Sequence, residues 1–300
     1  MKTYQQLWQS LTPLYDADEA KAIVRMVLEV KYGMTLTDII CGKITELSAD
    51  ESIKLEEIIA RLQKGEPVQY VLGQADFAGR TFHVGPGVLI PRPETAELCE
   101  WIINTRKNEH VSNAQQRGKE TTDDREDRIL DCCTGSGCIA ITLRLGIPNS
   151  QVTGIDISEK AIETACLNAK NLKAEVEFRK QDIFKMFEKE KLPASTKEKY
   201  DIIVSNPPYI CEKEKAEMAQ NVLDYEPRNA LFVPDEDPLK FYRAIAGFAS
   251  LQLRRKGLLY FEINPIYEKE TREMLESFGF KDIETKEDSF GKKRMMRAVR

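Results

Sequence analysis

Tyr200-Asp201-Ile202-Ile203-Val204-Ser205-Asn206-Pro207-Pro208-Tyr209 reads as an apolar β-strand running into a stiff polar turn. A turn of this kind at a strand's C-terminal end is where open α/β sheets place their ligands. Pro-Pro alone describes no more than a β-turn. Here the two prolines fix φ and keep the residues before them out of helical conformations, so Asn206 and the carbonyl of Pro207 are set before a substrate arrives. An amide, backbone carbonyls and the aromatic face of Tyr209 suit a flat –NH2 group, with two acceptors for two N–H donors and a ring against the plane.

The strands on either side of this stretch decide the fold. Upstream, Arg128 to Cys133 reads as a strand, Thr134-Gly135-Ser136-Gly137 as a turn and Cys138 to Leu145 as a helix. Gln151 to Asp156 is the next strand and Ser158 to Leu172 the next helix, with Ala161, Ile162, Ala165, Cys166 and Ala169 inward. Glu175 to Phe178 is a third strand ending near Asp182, and a lysine-rich connector leads to Tyr200. Downstream come a helix from about Pro238 to Leu253, a strand Leu258 to Ile263, a helix near Ile266 to Ser277, and two strands around Lys281 to Thr285 and Arg294 to Val299. Strands alternating with helices predict an α/β fold: a doubly wound, mostly parallel, Rossmann-like sheet of seven strands. The last two strands have no helix between them and predict an antiparallel edge.

Residues 1–75 read as a small helical bundle. Tyr4, Leu7, Trp8 and Leu11 recur at helical spacing, as do Ala20, Ile23, Val24, Val27 and Leu28 after caps at Asp16 or Asp18. A short third helix starts at Thr35 or Thr37, and Ser48 with Glu51 has capping-box spacing ahead of Ile53, Ile58, Ile59 and Leu62. Such stripes describe a core and say nothing of partners. From Val68 to Pro93 the pattern changes to short strands punctuated by glycine, predicting a β-hairpin linker over 76–93. The second domain then runs over 94–300. On the residues alone, Arg92 and Glu94 read as a surface pair. Asn104 to Arg128 has almost no apolar residues and predicts a mobile, solvated insertion.

Composition narrows the class. Three hundred residues at 42% hydrophobic and 31% charged describe an ordinary soluble chain with enough length for a sizeable core. The net charge of −5 gives no overall electrostatic footprint for nucleic acid. Neither a signal-peptide layout nor a membrane-spanning apolar run is evident, which predicts a cytoplasmic protein without a membrane partner. Seven cysteines, at 41, 99, 132, 133, 138, 166 and 211, form no paired CxxC, and only His83 and His110 add imidazoles. No metal site is expected, and reduced, buried thiols are the default.

The turn 133–137 offers backbone N–H groups at a helix N-terminus and glycines that permit close approach. It departs from the dinucleotide pattern, since Cys133 stands where the first glycine would be and Ile139 and Ala140 follow Gly137. Asp156, at the end of the second strand, is placed to accept both ribose hydroxyl protons. Asp182 is placed to accept from an adenine amino group, with Ile183 against the ring. Asp131 either orders the glycine turn or faces a cationic cofactor. A nicotinamide dinucleotide would satisfy Asp156 and the glycines equally well, but no hydride-transfer partner is apparent, and Asn206 to Tyr209 favours a methyl donor.

Ile90-Pro91-Arg92-Pro93-Glu94-Thr95, Asp131 to Gly137, Asp156, Asp182, Ser205 to Ile210 and Tyr225-Glu226-Pro227-Arg228-Asn229-Ala230-Leu231 together resemble the peptide chain release factor glutamine N5-methyltransferases of the HemK/PrmC type. The resemblance covers essentially the whole chain. Asn-Pro-Pro-Tyr alone is shared with methyltransferases acting on adenine or guanine, and the first and last of these motifs discriminate better. The resemblance implies S-adenosylmethionine as cofactor, contacted by Cys133, Thr134, Gly135, Ser136, Gly137, Asp156, Asp182, Ile183 and Asn206. It implies a glutamine amide held on Asn206, Pro207, Pro208 and Tyr209, a release factor as partner, and a substrate-recognition role for the helical module. The chain departs from the family at Cys133, where a glycine is usual, at Asn264-Pro265 after Glu262, and in the 104–128 segment. The alternatives left by the residues are a glutamine methyltransferase of a ribosomal protein, an adenine-N6 or guanine-N2 methyltransferase, and a binding module without catalysis.

Overall fold

The computed structural model describes residues 2–117, 125–186 and 199–300. The chain divides into two compact units, the first comprising Met1–Gln74, Val84–Pro86 and Met218–Glu226 and the second Ala75–His83, Gly87–Glu217 and Pro227–Arg300.

The first unit is helical, and its caps are written in the sequence. Helix α1 (Tyr4–Gln9) starts at a capping box between Thr3 and Gln6. Helix α2 (Ala17–Tyr32) starts where the Asp16 carboxylate accepts from the N–H groups of Asp18 and Glu19, and ends at Gly33 with φ 62°. Helix α3 (Leu36–Ile40) is boxed by Thr35 and Asp38, and α4 (Ala49–Leu62) by Ser48 and Glu51. Leu7, Leu11, Val24, Val27, Leu28, Ile59 and Leu62 close the core between them. Val68–Leu72 is a fifth helix, α5, and not one of the short strands that its β-branched residues suggest. Pro67 presets the helical entry, Gly73 at φ 75° supplies the exit, and burial of Tyr70, Val71 and Leu72 outweighs local β propensity. The segment Met218–Glu226, distant in sequence, joins this unit, with the Tyr225 hydroxyl donating to the Lys64 carbonyl at 2.9 Å.

In the second unit a hairpin, β1 (Gln74–Phe77) and β2 (Arg80–His83), turns on Ala78 and Gly79, both in the left-handed region. Phe77 and Phe82 meet edge to face at 5.7 Å, and Asn168 bonds both the N–H and the carbonyl of His83. Helix α6 spans Pro93–Arg117. The predicted insertion is therefore helical over 104–117: the run holds no Gly or Pro, so nothing in it breaks the helix begun at Pro93, and it continues without an apolar stripe. Residues 118–124 of that prediction lie outside the described residues.

The sheet follows: β3 (Asp127–Cys132), α7 (Cys138–Gly146), β4 (Ser150–Asp156), α8 (Glu159–Leu172), β5 (Val176–Lys180), β6 (Tyr200–Ser205), a short parallel pair β7 (Ile210–Cys211) and β8 (Phe232–Val233), α9 (Lys240–Gln252), β9 (Leu253–Glu262), α10 (Glu268–Ser277), β10 (Lys281–Glu287) and β11 (Lys293–Val299). Seven strands pair in the order β10-β11-β9-β6-β3-β4-β5, with β11 antiparallel to both of its neighbours and the other pairs parallel. Alternate residues divide cleanly between two cores. Ile129, Ile202, Val204, Leu258 and Tyr260 pack with Leu98 and Ile102 of α6 and Ile139 and Leu143 of α7. Leu130, Ile203, Leu259 and Phe261 pack with Tyr242, Ile245 and Phe248 of α9 and Leu275 of α10. Burial on both faces is why these strands read as continuous apolar runs.

Candidate functional site

Strand order reverses between β3 and β6, and a doubly wound sheet opens a crevice at such a point. Register sets what meets there. Cys132 pairs with Ile155 on one side and Ser205 on the other, and Ser205 pairs with Phe261. The next residues, Asp156, Cys133, Asn206 and Glu262, thus stand in one row across the C-terminal ends of β4, β3, β6 and β9. Asp156 in turn pairs with Lys180, which brings the segment Gln181-Asp182-Ile183 to the same edge.

A cavity of about 280 Å³ lies on this row. Cys133, Thr134, Gly135, Ser136, Asp156, Asp182, Ile183, Asn206 and Pro208, all anticipated from the sequence, line it. Gly137 instead sits at the start of α7 with φ 79°, where a Cβ would meet Ala165 and Phe178 at 3.0 Å, so its role is close packing of the turn onto α8 and β5. Pro207 is buried and Tyr209 half-buried, and neither is among the lining residues. Phe184, Phe241, Thr95, Arg92 and Asn229 also line the cavity. The first two meet with ring centroids 4.9 Å apart and planes tilted by 51°, and were not anticipated, although Phe184 follows Ile183 directly. Arg92 is half-buried on the cavity wall, not part of a solvated surface.

The turn is held from beneath by Asp131, which is fully buried. Its Oδ2 accepts from the Thr134 hydroxyl at 2.6 Å and from the Ala140 N–H at 3.2 Å. Of the two roles open to it, ordering the turn is the one its contacts perform. Burial raises its carboxyl to about 7 against the pull of those two donors. Asp156 accepts from Gly135 N–H at 3.0 Å and from Ser158 N–H at 2.9 Å, one on each oxygen. Burial also pushes its carboxyl up, opposed by backbone donors at Ser158, Gly135 and Ile157, and Asp156 lines the cavity. Asp182 accepts from Phe184 N–H at 2.9 Å. Cys133 has φ 61°, the left-handed backbone that Gly135 and Gly137 also take in this turn, and burial pushes its thiol upward, which favours the neutral form.

The Asn206 end of the row is tied more tightly than its sequence implied. Asn206 Nδ2 donates to Thr95 Oγ1 at 3.1 Å, and the Thr95 hydroxyl donates to Glu262 Oε2 at 2.6 Å. The Tyr209 hydroxyl donates to Glu262 Oε1 at 2.9 Å and lies 3.4 Å from Arg294 Nη1. Burial raises the Glu262 carboxyl, opposed by Thr95, Tyr209 and Arg294; the Tyr209 hydroxyl is pushed well up, first by burial and then by the charge of Glu262. Asn264, which stands where the resemblance leads one to expect glycine, donates to the Tyr209 carbonyl at 3.2 Å and caps the following turn by accepting from Ile266 N–H. Thr95 and Glu262 carried a sequence signal that went unused: a hydroxyl at the start of α6, and a lone carboxylate ending an apolar strand.

Carboxylate acceptors, an aromatic slot and bare backbone at Gly135, where nothing stands within 4 Å of a would-be Cβ, fit a nucleoside with a charged tail. S-adenosylmethionine has the matching groups: ribose hydroxyls for Asp156, an adenine amine for Asp182, and a ring for Ile183, Phe184 and Phe241.

Comparison with known proteins points to the same cofactor. Residues 123–241 match the family model described as methyltransferase domain, and residues 7–73 match the PrmC N-terminal domain. The release factor glutamine methyltransferase of Bacteroides thetaiotaomicron is 47% identical over 97% of this chain and 97% of its own. That of Flavobacterium psychrophilum is 39% identical over 99% and 98%, and that of Streptococcus pneumoniae 36% identical over 93% and 91%. With relatives this similar along nearly the full length of both chains, the protein belongs to the release factor glutamine methyltransferase family and is an S-adenosylmethionine-dependent enzyme.

Proposed function

We propose that the protein transfers a methyl group from S-adenosylmethionine to the side-chain amide nitrogen, N5, of the glutamine in the Gly-Gly-Gln motif of peptide chain release factors. The observation that carries this reading is the placement of Asn206: its amide lies in the same strand-end row as Asp156 and Cys133, with its –NH2 held by Thr95.

A carboxamide nitrogen is a poor nucleophile because its lone pair is delocalised into the carbonyl. The cofactor, when bound, supplies a methyl on a sulfonium and hence a good leaving group. This chain's residues supply position and charge stabilisation. The Asn206 Oδ1 and the Pro207 carbonyl accept the two N–H groups of the acceptor amide, orienting the nitrogen and stabilising positive charge as it develops. Tyr209, whose hydroxyl is committed to Glu262, offers its ring to the amide plane while Pro208 lines the cavity beside it. Proximity of this kind contributes up to roughly 7–11 kcal/mol in favourable systems. No strong base acts before methyl transfer; the proton leaves the alkylated nitrogen afterwards, to solvent.

The helical module of residues 1–75 grips the release factor, since a four-residue pocket cannot by itself choose one glutamine on a large protein. Among the described residues no helix is long and apolar enough to cross a membrane. The resemblance to release factor glutamine methyltransferases supports a protein substrate in the cytoplasm, and the net charge of −5 gives no overall electrostatic footprint for nucleic acid. The test is mass spectrometry of a tryptic digest of release factor after incubation with the protein and S-adenosylmethionine. One added methyl on the Gly-Gly-Gln glutamine, absent with Asn206→Ala in a folded protein, is the expected result. Methyl on a ribosomal protein or a nucleic acid and none on release factor would overturn it.

A further inference from the structure

With Glu262 ionised, the hydrogen bonds around it have a fixed direction, and that direction has a consequence for Asn206. Arginine has donors only, so where Arg294 Nη1 approaches the Tyr209 hydroxyl the oxygen accepts, and the Tyr209 proton is left for Glu262 Oε1. Thr95 has one hydroxyl proton, directed at Glu262 Oε2 over 2.6 Å. Having given that proton away, Thr95 Oγ1 can only accept from its other neighbour. The end of the Asn206 amide that it meets must then be the –NH2, and the carbonyl oxygen is the end left for the cavity. With the reverse polarity, the amide would present two donors to an incoming –NH2 group, and donor would face donor.

We propose that Glu262 and Thr95 are positioning residues: a buried carboxylate, acting through one hydroxyl, selects the rotamer of the Asn206 amide that shows an acceptor to the substrate. Neither residue touches the acceptor amide in this scheme. Glu262 is 2% exposed and Thr95 2% exposed, and they come from β9 and α6, 167 residues apart. Asn206 is thereby oriented by elements other than its own strand. The same carboxylate fixes Tyr209, so both ends of the Asn206 to Tyr209 turn refer to a single group. The inference rests on the reading of Asn206 as the residue that receives the amide.

The test compares Thr95→Val and Thr95→Ser with the intact protein, using release factor as methyl acceptor. Thr95→Val keeps the shape and removes the hydroxyl, which frees the Asn206 amide to turn; Thr95→Ser restores a hydroxyl that can accept and donate. The expected result is a fall in kcat of at least tenfold for Thr95→Val, with the dissociation constant for S-adenosylmethionine and the KM for release factor within about twofold of the intact protein. Thr95→Ser should recover kcat to within about threefold. A Thr95→Val protein of unchanged kcat, or a Thr95→Ser protein as impaired as Thr95→Val, would overturn the proposal. So would a Thr95→Val defect confined to cofactor binding. If Thr95→Val does not fold, Thr95→Ala and Thr95→Ser are compared in the same assay, and equal kcat values overturn it. Failure of the intact protein to methylate release factor at all would be a failure of the function, not of this arrangement, so the two outcomes are distinct.

Discussion

Cys133 is a side chain in a glycine's conformation, and replacing it should stabilise the turn in a way that one comparison isolates. Its φ of 61° lies in the left-handed region, as do those of Gly135 at 54° and Gly137 at 79°. A non-glycine residue pays about 1–2 kcal/mol there, while glycine pays about 0.5–1 kcal/mol in backbone entropy on folding. Cys133→Gly and Cys133→Ala both lose the thiol, and they differ only in the Cβ. Subtracting one cost from the other leaves glycine ahead by roughly 0.5–1 kcal/mol, a factor of about two to five in the folding equilibrium. Urea unfolding at equal m-value reads this as a higher midpoint for Cys133→Gly than for Cys133→Ala. Trp101, in the second unit, reports on the relevant transition once Trp8 is replaced by Phe. Calorimetric titration with S-adenosylmethionine should show Cys133→Gly binding at least as tightly as the intact protein, because atoms have been removed from the cavity wall. An alanine variant as stable as the glycine variant would refute the reasoning, since it would mean that the left-handed backbone costs this site nothing.

Other perturbations follow from the same geometry. Gly154→Ala would place a Cβ 2.6 Å from Phe178 and 2.8 Å from Thr134 Oγ1, so a loss of about 1–3 kcal/mol in urea unfolding is expected, along with weaker cofactor binding through the displaced Thr134. Asp131 has a folded-state carboxyl near 7 against about 3.9 in the unfolded chain, so the native state holds its proton more firmly, and stability present below about pH 4 is lost as pH rises towards 7. The contribution is at most roughly 4 kcal/mol; Asp131→Asn should flatten this slope, and an unchanged slope would assign it elsewhere. Because burial raises the Glu262 carboxyl, kcat should fall with decreasing pH at a point above the usual carboxylate range, when a protonated Glu262 could donate to Thr95 and reverse the relay. The groups facing Glu262 are Arg294 on β11, Tyr209 after β6, Tyr242 on α9, Glu94 and Cys99 on α6 and Cys138 on α7. A pH–rate profile whose acid limb falls only within the usual carboxylate range would count against it.

What could be read from the sequence, and what could not, divides along a physical line. The central strands β3, β6 and β9 were legible because burial on both faces makes Ile129-Leu130, Ile202-Ile203-Val204 and Leu258-Leu259-Tyr260-Phe261 continuous apolar runs, each with its neighbours in one of two cores. The helix over 104–117 carries no apolar stripe to announce it; it continues from Pro93 because no glycine or proline interrupts it. Val68–Leu72, where the pattern of short strands punctuated by glycine is expected to begin, is instead a last helix of the 1–75 module, set by Pro67, Gly73 and burial. Of the site, the glycine turn, Asp156, Asp182 and Asn206 were visible because each sits at the end of a recognisable strand. The partners of Asn206 were not, since nothing local states that Ser205 pairs with Phe261; register is a property of two strands together, and only it brings Glu262 level with Asn206. One anomaly could still have pointed there. A carboxylate closing the apolar run Leu258 to Phe261 must be buried, and a buried carboxylate requires donors. Asking which hydroxyls and cations nearby could supply them leads to Thr95 on α6, Tyr209 and Arg294, and from Thr95 to the Asn206 amide proposed to receive the substrate.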